Sequence, residues 1–294
     1  MITFMQYALS GVLLGGIYAA VAVAFIVIFR GTRIFNFAQG EIVMVGGFLS
    51  WTFLTYTPLP AWLAVLAAMA ASAALGVILE RLAIRPLIGQ PLFSLVMVTI
   101  ALVLCLRGLS IIVWGAFPRR FPPIFGKTAL LIGPFRFSPS LFYGTIIISF
   151  LVLALWWMFG NTNRGLTMTA TAEDHQIARA LGISVKQSIS IAWAIAGAIS
   201  VVAAISWLSG RSVGFLSADI GLRAVPCALL AGVESVSGAL LAGIIVGVSE
   251  SLAIGYLDEL TEGGMSLVMP FLIMLVILLI RPEGMFGWKR IERL

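Results

Sequence analysis

The sequence predicts an all-α polytopic membrane protein of about eight full transmembrane helices plus one short half-helix. Three observations predict it. The 294 residues are 61% hydrophobic and only 10% charged, against about 25% charged residues in a soluble domain. Mean hydropathy is +1.11, and apolar runs of about 20 residues, the length that crosses a bilayer, recur along the chain. The runs are continuous rather than alternating. That favours helices over a β-barrel, because a spanning helix satisfies its own backbone. A single transmembrane domain, 1–294, is expected.

The spans follow in order. No basic residue precedes Tyr7–Phe29 and no clear cleavage site follows it, so it reads as a retained span. Ile42–Tyr56, Pro60–Leu79, Leu92–Trp114, Ser140–Phe159 and Ser188–Leu208 come next. Leu222–Val233 must count as a crossing for the loops to alternate, yet its helix would reach only about 18 Å. It is expected as a half-helix inside the bundle, where broken helices are tolerated. Pro226, Gly232 and Gly238 mark its breaks, and such breaks often bound a translocation route. Gly238–Tyr256 and Ser266–Ile280 complete the set. Gly11 with Gly15, and Gly243 with Gly247, form G-x-x-x-G pairs that permit close helix contact.

Orientation follows from Lys and Arg. With loop 160–187 in the cytoplasm, the inside segments hold Arg30, Arg33, Arg81, Arg85, Arg164, Arg179, Lys186, Arg281, Lys289, Arg290 and Arg293. The outside segments hold Arg119, Arg120, Lys127, Arg136, Arg211 and Arg223. The bias places the N-terminus outside and the C-terminus in the cytoplasm. Segment Gly115–Pro139 resists the trend, with four bases and no acid. Its Arg119, Arg120, Lys127 and Arg136 are candidates for docking a partner at the outer face. The bases sit at span ends, without basic tracts interleaved with aromatics, so nucleic acid is not implied.

The stretch "TATAEDHQIARALGISVKQ", Thr169 to Gln187, is a polar island. Thr171 can cap a helix, with Asp174 three residues on, as in a capping box. Glu173 and Asp174 suit the positive end, Arg179 the other, and Gly182 can close it. A helix over about 169–182 is expected, with Ile177, Ala178 and Leu181 on one apolar stripe beside Ala172. Two readings stay open: a loop helix lying at the headgroups, or a helix that docks a cytoplasmic partner.

Other residues weigh less. Cys105 and Cys227 are isolated in apolar segments, and His175 is the only histidine, so no metal site is expected. No P-loop, H-E-x-x-H or G-x-S-x-G is present. Arg107 and Glu250 lie inside predicted spans, where ionisable groups are costly and face the bundle interior. They are expected to pair with one another; Arg107 could instead meet a substrate carboxylate or snorkel outward. Asn36, Gln39 and Glu41 open the second span, either as caps or as lining of an inner gate.

Three stretches carry a resemblance. "ATAEDHQIARALGISV" resembles the cytoplasmic coupling segment of ATP-binding-cassette importer permeases. "GGIYAAVAVAFIVIFRGTRIFNFAQGEIVMVGGFLSW", above all "NFAQGE" from Asn36 to Glu41, resembles the N-terminal signature of LivH-type branched-chain amino-acid permeases. "LLAGVESVSGALLAGIIVGVSES", followed by "RPEGMFG" from Arg281, resembles their C-terminal signature. Gln39 stands where the family pattern leads one to expect His, and Arg107 where it leads one to expect an uncharged residue. The resemblance implies a sister permease subunit of LivM type and two cytoplasmic ATPase subunits that hold ATP and Mg. It also implies an extracytoplasmic substrate-binding protein and a place in the cytoplasmic (inner) membrane of a bacterium. This chain would bind no cofactor and make no bond. Its solute would be a branched-chain or other apolar amino acid, or a related urea, amide or small carboxylate. The rival reading is an ion-coupled carrier or channel that needs no ATPase.

Overall fold

The computed structural model describes residues 1–287. Lys289, Arg290 and Arg293, used in the orientation count, lie outside the described residues, as does the side chain of His175. Eleven α-helices and two short β-ribbons are found among the described residues. Both ribbons lie at one end of the bundle, the ribbon end. The polar island lies at the other, the charged end.

Helix α1 (Ile2–Thr32) is the hub. It is apolar on every side and buried without a gap from Gly15 to Ile28, the pattern of a helix with protein all round it. Helix α10 (Val236–Tyr256) lies along it. The two G-x-x-x-G pairs meet each other: a Cβ on Gly15 would overlap the Gly243 carbonyl, and one on Gly247 the Gly11 carbonyl. Only glycine admits backbones this close. Helix α8 (Val185–Leu208) packs on the other flank and crosses α3 (Ala61–Leu79) at Gly76 and Gly197, where Ser72 Oγ donates to the Gly197 carbonyl at 2.8 Å. Beyond α3 the chain tightens into a π turn (Glu80–Ile84) and a 3-10 turn (Arg85–Leu87). Buried Glu80 there accepts two bonds from Arg85, each 2.9 Å. Helices α4 (Leu92–Trp114) and α5 (Pro139–Asn161) stand on the periphery and expose Leu104 and Phe150.

Six helices are long and apolar enough to cross a membrane: α1, α3 with its following turns, α4, α5, α8 and α10. Of the eight full spans expected, these six qualify by length and composition among the described residues. Helix α11 (Met265–Ile280) has 16 residues, about 24 Å at 1.5 Å each. Helix α2 (Gln39–Tyr56) has 18 and opens on a polar turn. It starts inside the bundle. Arg33, left-handed at φ 58°, ends α1, and residues 34–38 then run back in with Asn36 and Ala38 fully buried. Asn36 Oδ1 accepts from the Ala38 N–H at 3.1 Å, and so satisfies backbone that no helix serves.

The short helix α9 (Asp219–Ala231) has 13 residues, with Pro226 inside it and Gly232 at its end. It starts against α2, where a Cβ on Gly40 would overlap the Ala218 carbonyl and one on Gly221 the backbone of Gly40. It is the half-helix expected from the sequence.

The ribbons depart from the all-α expectation. Strand β1 (Arg119–Arg120) pairs antiparallel with β4 (Ser212–Val213), and β2 (Leu130–Ile132) with β3 (Phe135–Phe137). Gly133 at φ 60°, followed by Pro134, turns the second ribbon in two residues.

Candidate functional site

At the charged end, the polar island folds as two helices, not one. Helix α6 (Asn163–Glu173) is capped nine residues upstream of the expected cap Thr171, at Thr162, whose side chain accepts from the Gly165 N–H. Thr171 is therefore no cap; it is buried mid-helix and donates to the Thr167 carbonyl at 2.7 Å. The break falls at Asp174, which takes extended angles and accepts the Gln176 and Ile177 N–H groups at 2.7 and 3.0 Å. An acid that caps directly satisfies two orphan donors, which it could not do from the third position of a longer helix. Glu173 thus ends α6 instead of starting a helix.

Helix α7 (His175–Ala180) is closed by Gly182 at φ 79°, with the Gly182 and Ile183 N–H groups returning to the Arg179 and Ala178 carbonyls. The expected common stripe is split. Ala178, like Ala172 on α6, faces the protein. Ile177 and Leu181 are 60% and 73% exposed. They stand one turn apart and present an apolar pair outward.

One guanidinium ties this segment to the bundle. Arg33 Nε donates to the Ala172 carbonyl at 3.0 Å, Nη1 pairs with Glu234 at 2.5 Å, and Nη2 pairs with Glu173. Arg30, one turn earlier, donates to Thr169 Oγ1 at 3.1 Å and lies over the Phe159 ring. The end of α1, the end of α6 and the α9–α10 turn thereby share a single strut. Nothing in the sequence marks Arg33 beyond its place at a span end, where it counts only toward orientation.

Inside the bundle, Asn36 Nδ2 donates to Gln39 Oε1 at 3.4 Å, and Gln39 Nε2 donates to Ser200 Oγ at 2.8 Å. The next polar residue, Glu41, is 3% exposed and pairs with Arg107 at 2.6 Å. The expected Arg107–Glu250 pair does not form. Side chains lean toward the N-terminus of their helix. Arg107 on α4 therefore leans away from the ribbon end, toward the start of α2. Glu250, on α10, faces α1 and the half-helix instead. It pairs there with Arg223, beside Tyr18. Arg223, counted above as an outer loop base, is a helix residue with a buried partner. Pro226 follows it within α9, less than one turn on.

At the ribbon end, Arg119, Arg120, Lys127 and Arg136 are all exposed. Their backbone is held. The Arg120 carbonyl accepts from Trp51 Nε1 at 3.1 Å, and Gln6 makes two bonds with the Arg136 backbone. Arg119 lies over the Trp51 ring and donates to the Trp114 carbonyl.

The comparisons with known proteins agree with one another. A family model described as "Branched-chain amino acid transport system / permease component" matches residues 7–278. The high-affinity branched-chain amino acid transport system permease protein LivH of Salmonella typhimurium is 28% identical over 306 residues, which cover 99% of this chain and 97% of that protein. The permease protein BraD of the corresponding Pseudomonas aeruginosa system is 28% identical over 312 residues, with 99% and 98% covered. A probable branched-chain amino acid transport permease protein LivH of Methanocaldococcus jannaschii is 30% identical over 278 residues, with 90% and 87% covered.

Proposed function

The chain belongs to the branched-chain amino acid transport permease family, and on that premise we propose that it carries branched-chain or other apolar amino acids through the inner membrane as one permease subunit of an ATP-binding-cassette importer. It is a multi-pass membrane protein and no enzyme; ATP hydrolysis belongs to a separate subunit. Helices α1–α5, α8, α10 and α11 make eight crossings and the half-helix segment α9 returns the chain to the charged end between α8 and α10, with the N-terminus outside and the charged end in the cytoplasm. A binding protein delivers the solute to the ribbon end. Two ATPase subunits grip the charged end, and a sister permease subunit completes the route.

The observation that carries this reading is the form of α6–α7. A six-residue helix is too short to persist in water by itself, yet α7 and its cap hold Ile177 and Leu181 outward, and the end of α6 just before it is fastened by Arg33. That is the shape of a knob built for a groove in another protein. When ATP moves the knob, Arg33 passes the displacement to α1 and to the α9–α10 turn.

The test is Ile177→Asp with Leu181→Asp in the co-expressed complex. Neither residue lies in a span, so membrane insertion should persist. The ATPase subunits should be lost on purification, and ATP-driven leucine uptake should stop. Normal uptake with the ATPases still bound would refute the docking role.

A further inference from the structure

The seam between α2 and α4 holds three buried polar atoms without a hydrogen-bond partner: Glu41 Oε2, Arg107 Nε and Ser110 Oγ. Buried polar groups are nearly always satisfied, so three orphans in one seam call for a missing partner. Ser110 lies three residues beyond Arg107, on the same face of α4. The Arg107 side chain is 43% exposed, although it stands seven residues, about 10 Å, short of the end of its span. A guanidinium at that depth is too costly against acyl chains. Its open side therefore calls for water or a polar partner rather than lipid.

Two helix starts converge here. The first turns of α2 and α9 touch at Gly40 and Gly221, and each carries an acid, Glu41 and Asp219. Asp219 is exposed and close enough to act electrostatically on Glu41. The two carboxylates are offset by one guanidinium and by two helix N-termini worth about half a charge each. The seam is thus close to neutral overall and strongly dipolar. Such a site disfavours a lone anion or cation and suits a net-neutral ligand that carries both charges. Two turns further along both helices, Phe48 and Trp114 stack at 5.0 Å between ring centroids. They supply an apolar wall next to the charges.

We propose that this seam is the station at which the permease holds a free zwitterionic amino acid, with its carboxylate on Arg107, its ammonium between Glu41 and Asp219, and its apolar side chain toward Phe48 and Trp114. The assignment rests on the importer reading above. Binding is an exchange of ion pairs: the Glu41–Arg107 bond opens as each partner meets its opposite charge on the ligand. The ligand's ammonium and carboxylate thus replace the partners that Glu41 and Arg107 give up.

The test uses the purified complex in nanodiscs, without the binding protein, and ligand-observed NMR. The probes are L-leucine, L-leucinamide, which lacks the carboxylate, and 4-methylpentanoate, which lacks the amine. In the unaltered protein each analogue should bind more weakly than leucine by about tenfold or more, the worth of one charge-assisted hydrogen bond. Arg107→Gln should erase the preference for leucine over leucinamide, while Arg107→Lys keeps part of it. Glu41→Gln should erase the preference over 4-methylpentanoate. Equal binding of the three probes, no leucine binding, or a uniform loss for all three in Arg107→Gln would overturn the assignment. The comparison within the unaltered protein does not depend on any variant folding. Uptake of leucine driven by ATP, measured on the same preparation with binding protein added, separates the two failures. Without uptake the importer reading falls; with uptake and no discrimination, only the site falls.

Discussion

Replacing Arg33 by Ala removes the strut between the polar island and the transmembrane core. The size of the effect follows from its three contacts. The pair with Glu173 is worth little, since that carboxylate is 60% exposed and exposed pairs contribute well under 1 kcal/mol. The pair with Glu234 is better shielded, at 26% exposure, and the bond to the Ala172 carbonyl is charge-assisted. Together they hold the segment against the bundle by about 2 kcal/mol, or roughly 30-fold in the ratio of fastened to released states. The span of α1 ends before this point, so the bundle itself should form. The assay is leucine accumulated per ATP hydrolysed in proteoliposomes that contain the full complex. The ratio should fall several-fold in Arg33→Ala and recover in part in the exchange Arg33→Glu with Glu234→Arg. An unchanged ratio, with Arg33→Ala present in the purified complex at normal yield, would refute the strut.

Three further outcomes are expected. Docking of the binding protein should weaken with salt, because screening shortens from about 10 Å at 0.1 M to about 3 Å at 1 M. Gln at Arg119, Arg120, Lys127 and Arg136 should flatten that dependence, and cysteine labelling of this loop from the cytoplasm would contradict it. Gly15→Val drives a side chain into the Gly243 carbonyl and should cost about 2 kcal/mol or more in stability. Gly108→Ala, which meets nothing within 4 Å, should be neutral; similar melting of the two proteins would count against close α1–α10 packing. Glu250→Gln strands Arg223, whose side chain is 29% exposed, and should destabilise the complex by about 1–3 kcal/mol, the worth of a charge-assisted bond. Adding Arg223→Gln should recover part of the loss, and strict additivity would mean that the two do not interact.

Spans were legible wherever a run of apolar residues decides the matter. Leu92–Trp114 has the same bounds in the sequence and in the structure, and the half-helix shifts by only a few residues. The two glycine pairs pointed to a crossing that exists. What failed was information about neighbours. Arg107 pairs with Glu41 because α2, not α10, lies beside α4, and chain order does not say so. Thr171 and Asp174 are both acceptable caps. The choice between them was made upstream, where Thr162 had already started a helix that Thr171 could only continue. Strands of two and three residues are too short to leave a period. Arg33 looked like any base at a membrane edge until its three acceptors were brought together by folding.

The glycine crossing of α1 and α10 also sets an order of assembly. α1 leaves the ribosome well before α10, which carries the surface it needs at Gly243 and Gly247. At about 5–20 residues per second, the two are synthesised roughly 10–50 s apart. Throughout that interval the helix destined for the centre has only lipid or the insertion machinery along its bare stripe. Closure of the bundle is thus a late event, and α10 acts as its clasp. A ribosome that stalls before Val236 leaves a set of inserted helices around a hub whose glycine stripe has nothing to close against.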